Sequence, residues 1–354
     1  MSARMRLGWF AAVVFVTVFG LGNLAIWIGE SLRGPSWWAI DFVTYDAARR
    51  VVDGAALYED PKYLYPPLAS LLGIPLLALD RFSASVVLAA GKVLLAALGV
   101  LWLTPNWRAT SRALAFVGLV ASLPFLHDLM LANTNVLVVA AMVPALFGRS
   151  LPRNGVLLGV AAAAFAKPLM IPVLLWLAIW RRQTFVGAVV AGAIGSAVAL
   201  AVFGPSSYTD WVAAVGVGST WLSVPFAGNH GVTALAPTLW PPVAAVAAVM
   251  LALVLARGGP RTGLLWALAS GILLAPYVGT YGALPIAIAL PAIGPLAPVL
   301  ALVIVAASPI ATTHPLPFYA AGIMLASLAL RERRAASESV GLPATASWEP
   351  PTAS

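Results

Sequence analysis

A few positions in this chain have the residue type and surroundings that chemistry needs. Asp41 lies in a stretch rich in acids but has no cation at helical spacing. Its i+3, i+4 and i−4 neighbours are Thr44, Tyr45 and Trp37. An acid among aromatics, without a local cation, is a candidate for a raised pKa and so for a general base. The alternative is a first-turn acid favoured by the helix dipole. The acids around it have local partners, with Asp46 facing Arg49 and Arg50 at i+3 and i+4 and Asp53 having Arg49 four residues back. Lys167 sits inside an apolar run, 14 residues from both Arg153 and Arg181, roughly 20 Å along a helix. Snorkelling over that distance requires a broken helix, and Pro168 follows directly. An ammonium beside such a break suits an anionic headgroup such as a lipid phosphate. The alternative is a structural pair with a buried acid. Lys92 is a weaker version of the same signal, closer to an end and within snorkelling reach. His127-Asp128 and Asn133-Thr134-Asn135 interrupt another apolar stretch. They read as a helix-to-helix turn whose asparagines cap the next helix or meet substrate. Tyr63 and Tyr65 are interfacial aromatics by default, with sugar stacking as the functional alternative.

The elements that must hold these residues are set by composition. Of 354 residues, 61% are hydrophobic and only 9% charged, against about 25% charged in soluble domains. Mean hydropathy is +0.95. A soluble enzyme, a disordered chain and a nucleic-acid reader are excluded. The net charge of +8 fits cytoplasmic loops beside anionic lipid. The chain has no cysteine, so disulfides, zinc-thiolate sites and iron–sulfur clusters are excluded. The expected fold is an all-α polytopic membrane protein, with a single membrane domain over 1–330 and a disordered cytoplasmic tail over 331–354.

Leu7 to Ile28 forms the first span, uncleaved, with Arg4 and Arg6 placing the N-terminus in the cytoplasm. Ten further apolar runs follow between 66 and 330, several broken by proline; 154–180 reads as one kinked span or a short hairpin. Arg331, Arg333 and Arg334 should be cytoplasmic, which makes the crossings even; about ten helices are expected, within 8 to 12. Arg149, Arg153, Arg181, Arg182, Arg257 and Arg261 fall in cytoplasmic loops, whereas Arg108 and Arg112 do not obey the rule unless a span between 66 and 127 is split or merged.

Polar residues concentrate in two loops. Residues 30–65 hold Glu30, Asp41, Asp46, Asp53, Glu59 and Asp60, half of all 12 acids. Residues 204–236 hold Tyr208, Asp210, Trp211, Trp221, Asn229 and His230. Both loops are expected outside, forming a lid over a membrane-level cavity. Within the first, Trp37 to Val52 reads as an amphipathic helix starting near Pro35 and Ser36.

The run Asp41-Phe42-Val43-Thr44-Tyr45, then Ala47-Ala48, Gly54, Leu57-Tyr58, Tyr63-Leu64-Tyr65-Pro66-Pro67-Leu68 and Pro75-Leu76, resembles glycosyltransferase family 87. Supporting stretches follow in the family's order. Leu131 to Leu137 stands where the family tends to have a Gly-Gln-x-Asn turn, with Ala132-Asn133 in place of Gly-Gln. Ala161 to Lys167-Pro168 resembles its alanine-rich helix ending in Lys-Pro. Gly228-Asn229-His230-Gly231 resembles its Gly-Asn-Gln-Ser loop, and Ala275-Pro276-Tyr277 its late Ser-Pro segment. The resemblance covers about 40 to 320.

The resemblance implies a GT-C-like bundle with amphipathic helices in the first outer loop. It implies transfer of a sugar, mannose above others, from a polyprenyl-phosphate donor to a lipid-linked or glycan acceptor. The resemblance to GT-C enzymes implies that an acid of the first outer loop acts as general base, and Asp41 is the matching position. Lys167 and then His230 are the candidates for the donor phosphate. Tyr63, Tyr65, Asn229 and Asn133 are candidates for sugar or acceptor. No metal and no cofactor are expected. The expected partners are membrane lipid, the polyprenyl-phosphate sugar and the acceptor, with no nucleic acid. The expected location is the plasma membrane, multi-pass, with both termini cytoplasmic and the active site outward. The competing class is a secondary transporter or flippase of an anionic or lipid-linked substrate, which also uses broken helices.

Overall fold

A computed structural model describes residues 42–105, 107–222, 231–235 and 237–285, together with Val18, Gly22 and Ala25. Among the described residues every regular element is helical. In chain order they begin with α1 (Val43–Val52), α2 (Leu68–Gly73), α3 (Arg81–Leu103), α4 (Ala109–Val120), α5 (Leu123–Met130), α6 (Asn135–Phe147) and α7 (Val156–Phe165). They continue with α8 (Met170–Trp180), α9 (Arg182–Phe203), α10 (Ser206–Leu222), α11 (Val232–Leu235), α12 (Trp240–Arg257) and α13 (Pro260–Leu274). Short 3₁₀ turns link several of them.

Three helices are long and apolar enough to cross a membrane: Arg81–Leu103, Arg182–Phe203 and Pro237–Arg257. Their outward faces are apolar, with Val86, Leu94, Ile194, Val198, Val246 and Val249 exposed, as a lipid-facing surface requires. The expected count of about ten rests partly on runs that the chain divides into shorter helices. It rests also on residues before 42 and after 285, which lie outside the described residues.

One divided run lies just before the helix that leads to Arg108 and Arg112. Residues 66–80 do not form a helix long enough to cross a membrane. They form α2 and a 3₁₀ turn over Ile74–Ala78, with Pro75 at the junction, and return to α1. There the Tyr45 hydroxyl donates to Leu79 O at 2.9 Å. Gly73 allows the close approach, since a Cβ there would collide with Thr44 O. The next residue pair anchors α3: Arg81 donates from Nε and Nη2 to Asp46 Oδ1 and Oδ2 at 3.0 and 2.9 Å. Asp46 therefore pairs across the fold and not with its i+3 and i+4 arginines. Arg50 pairs instead with Glu59 at 2.8 Å, and Arg49 donates to the Tyr45 hydroxyl. A planar bidentate fork outcompetes a helical-spacing contact. From Asp46, α3 runs alongside α6, and Ala96 shares an apolar cluster with Val136 and Val139. Arg108 and Arg112 follow its far end, and Arg112 donates back to Thr104 O.

The second divided run is 154–180. Its halves are α7 and α8, separated by Ala166 in a left-handed conformation at φ 43° and by Pro168. α7 packs on α9 in the same direction: Gly155 faces Thr184, Gly159 faces Ala188, and Gly195 faces Ala163. α8 ends one residue before α9 begins, so the chain must reverse between Phe165 and Met170. Residues 156–180 are a short helical hairpin, with Lys167 at its tip. Ala163 is level with Gly195, 13 residues along α9, which is about 20 Å from the Arg182 end.

That end collects cations. Arg181 donates to Gly148 O, Asn154 donates to Arg149 O, and Trp176 Nε1 donates to Pro260 O at 2.7 Å. Arg149, Arg153, Arg181, Arg182, Arg257 and Arg261 thus share one end, and the acids of residues 46–60 lie at the other.

Among the described residues the tightest seam is the α7–α9 pair, where small residues allow the backbones to touch. A Cβ at Gly159 would collide with the Ala188 carbonyl. We expect Gly159→Leu to destabilise the protein by about 1–3 kcal/mol, read as a lower melting temperature in detergent.

Candidate active site

Four separate segments converge at the hairpin tip. Tyr65 comes from the loop before α2, Asn133 and Thr134 from the turn between α5 and α6, Lys167 from the tip, and Tyr281 from the turn after α13. Lys167 Nζ donates to the Tyr65 hydroxyl at 3.1 Å and to Asn133 Oδ1 at 3.4 Å. It lies 5.0 Å from the Tyr65 ring centroid and 5.8 Å from that of Tyr281, favourable cation–π range. Lys167 is half-buried, and no carboxylate among the described residues lies within ion-pair distance of it. Two of its three N–H groups are used within the protein, which leaves one for a ligand anion.

The Tyr65 hydroxyl is fully engaged. It accepts from Lys167 and from Thr134 Oγ1 at 3.2 Å, and it donates to Asn133 Oδ1 at 3.3 Å. It holds Lys167, with no capacity left for a sugar hydroxyl. Tyr65 also packs edge-on against Phe165, centroids 5.7 Å apart, and against Tyr63 at 6.1 Å. Tyr63 itself is core: it is fully buried and donates to Pro66 O at 3.1 Å. Burial pushes the Tyr63 and Tyr58 phenols up, so both stay protonated donors.

Beneath this cluster lies an ion pair inside the bundle. Lys92 Nζ stands 2.7 Å from Asp128 Oδ1, and both side chains are 0% exposed. Lys92 also donates to Asp128 O at 2.8 Å. Asp128 Oδ2 accepts from Asn135 N at 2.9 Å and Asn135 Nδ2 at 3.1 Å. The helix α6 is therefore capped by Asp128, not by the side chain of its N-cap residue Thr134, which makes no capping bond. Lys92 does not snorkel. The acid that could have paired with Lys167 is taken by Lys92.

Two residues of this site carry backbone strain. Ala132 at φ 54° and Ala166 at φ 43° are the only non-glycine residues with positive φ among those described. Each directly precedes a cluster member, Asn133 or Lys167. Left-handed alanine costs roughly 1–2 kcal/mol, and such outliers gather at functional sites.

The second polar stretch reaches the first. Trp211 Nε1 on α10 donates to Leu64 O at 3.1 Å, and the Tyr58 hydroxyl donates to Tyr65 O at 3.0 Å, so α10 braces the Tyr63–Tyr65 segment. Thr233 on α11 donates to Pro276 O, beside Tyr277 and Tyr281, whose hydroxyls are 3.2 Å apart. Asp41, Asn229 and His230 lie outside the described residues. The residue after Asp41, Phe42, is fully buried in one cluster with Tyr45 and Ala132. Among the described residues no group of three or more His, Asp or Glu side chains converges. Spacing does not reveal Lys92 and Asp128 as a pair, because they are 36 residues apart. The usable signal was that a lysine and an acid deep in apolar runs each need a partner.

These features define a helical membrane protein with a cationic, aromatic-walled polar site at the tip of a broken hairpin. Residues 63–278 match the family model for glycosyltransferase family 87. The match covers more than half of the chain, which belongs to glycosyltransferase family 87 and is a membrane glycosyltransferase. Neither the curated proteins nor the solved structures contain a match.

Proposed function

We propose that the chain transfers mannose from a polyprenyl-phosphate donor to a hydroxyl of a lipid-linked or glycan acceptor at the outer face of the plasma membrane, with both termini in the cytoplasm. The observation that carries this reading is the Lys167 ammonium. It is held at the hairpin tip about 20 Å into a bundle whose arginines mark the opposite end, with one N–H unspent. A lipid-borne phosphate reaches such a depth from the side of the membrane, whereas a soluble nucleotide sugar does not need one. The arginine end fits the cytoplasm by the positive-inside rule, and the acidic end then faces outward.

In the reaction the acceptor hydroxyl loses its proton to Asp41, its oxygen bonds to the anomeric carbon, and the anomeric carbon–phosphate oxygen bond breaks. The electron pair leaves on polyprenyl phosphate, whose growing charge Lys167 offsets, with His230 as the second candidate for that contact. A β-linked donor gives an α product by inversion. Asn133 and Asn229 are the candidates for sugar hydroxyls. No cofactor enters this balance.

The test is transfer by the purified protein from radiolabelled polyprenyl-phosphate sugars to membrane glycolipid. Label from polyprenyl-phosphate mannose should appear in an α-linked product. Asp41→Asn should lower the rate about 10²–10⁴-fold. Transfer that survives Asp41→Asn unchanged rejects Asp41 as the base, and transfer only from a nucleotide sugar rejects the donor class.

A further inference from the structure

The Lys92–Asp128 pair lies beneath the site and touches neither Lys167 nor any group free to meet a ligand. It is nonetheless tied to Lys167 by a continuous set of hydrogen bonds. Asp128 Oδ2 takes Asn135 Nδ2 at 3.1 Å. Asn135 Nδ2 also donates to Asn133 Oδ1 at 2.8 Å. Asn133 Oδ1 receives, besides, Thr134 N at 2.7 Å, the Tyr65 hydroxyl at 3.3 Å and Lys167 Nζ at 3.4 Å. An amide atom surrounded by four donors is the oxygen, so the orientation of Asn133 follows from the contacts. Its Nδ2 is then turned away from them, without a protein acceptor among the described residues.

We infer that Lys92 and Asp128 are positioning residues: through Asn135 they lock the Asn133 amide, which holds Lys167 by its oxygen and presents its NH₂ to the ligand. This rests on the reading of Lys167 as the cation that meets the donor phosphate. A carboxylate is needed at 128 because it must accept twice from Asn135 and also meet the ammonium of Lys92. The ammonium at 92, 2.7 Å away, supplies the opposite charge that a buried carboxylate requires. The pair is internally neutral, which also matters to the site, because an uncompensated Lys92 would repel Lys167. What reaches the ligand is then one positive charge from Lys167 and one N–H dipole from Asn133.

The test compares two double variants, each of which removes both charges and so leaves none stranded. Lys92→Met with Asp128→Asn keeps an acceptor for Asn135. Lys92→Met with Asp128→Leu removes it. If the pair only holds the bundle together, the two variants have equal activity per folded molecule. If it positions Lys167, the leucine variant loses kcat about 10²-fold with a smaller change in donor KM, and the asparagine variant recovers most of that loss. A second readout needs no substrate. The chain has three lysines, Lys62, Lys92 and Lys167. Labelling by a small amine-reactive ester, mapped by mass spectrometry, follows Lys167 with exposed Lys62 as the internal standard. The expected result is a labelling rate for Lys167, relative to Lys62, several-fold higher in the leucine variant than in wild type. Equal labelling rates and equal kcat overturn the positioning role. A labelling change in a protein that transfers from no polyprenyl-phosphate sugar leaves the positioning role standing and rejects the donor reading instead.

Discussion

Lys167→Met is expected to lower kcat for sugar transfer about 10²–10³-fold with a melting temperature close to wild type. The ammonium makes no ion pair among the described residues, so its removal strands no charge. Its two internal hydrogen bonds go to groups that keep other partners: Tyr65 retains Thr134 and Asn133, and Asn133 retains Asn135. What is lost is the response to the leaving group. A polyprenyl-phosphate sugar carries one negative charge on its phosphodiester, and the departing phosphate gains a second as the glycosidic bond breaks. A cation close to that phosphate binds the transition state more tightly than the substrate, so its loss falls on kcat more than on KM. Lys167→Arg should recover only part of the rate. The guanidinium is a larger planar fork, and the space between Tyr65, Asn133 and Tyr281 fits a compact ammonium. Steady-state kinetics on the purified variants decide this. An unchanged kcat in Lys167→Met would remove the residue from the reaction.

Much of this site was legible in the sequence one residue at a time. Lys167 stood out because no snorkelling path reached either flanking arginine, and Asn133 and Tyr65 stood out as polar groups at the edges of apolar runs. Their convergence was not legible. Tyr65 is 68 residues from Asn133 and 102 from Lys167, and spacing carries no information over such separations. Hydropathy is blind to direction. An apolar run reads the same whether the chain crosses or turns back, so 66–80 reads as a span and 154–180 leaves a kinked span and a short hairpin equally open. The reversal depends on Ala166 adopting φ 43°, and alanine at such a position is a tertiary effect that overrides local preference. Helical-spacing logic failed at Asp46 for a related reason: Arg81 offers a bidentate contact from another helix, and the local arginines turn to Glu59 and Tyr45. The distance of Lys92 to a helix end permits snorkelling, whereas the less costly solution for an amine inside a bundle is a carboxylate on a neighbouring helix.

That solution makes the second large effect a stability effect. Lys92→Met alone should destabilise the folded protein by about 3–5 kcal/mol, because it leaves the Asp128 carboxylate in a site that is 0% exposed with only Asn135 to satisfy it. Asp128→Leu alone should cost a similar amount: it strands the Lys92 ammonium against a single carbonyl, Asp128 O, and uncaps the first N–H of α6. Combining the two should cost less than either single change, since no buried charge then remains and the new side chains are apolar in an apolar bundle. Thermal unfolding of the detergent-solubilised variants measures all three. The pair is set by electrostatics if the double variant melts above both singles. If the single losses simply add, the contribution is packing, and Asp128 acts as a helix cap whose charge is incidental. Activity separates from stability in the same set of proteins. A double variant that folds well and transfers poorly shows that the ion pair serves the geometry of Lys167 beyond its service to the bundle.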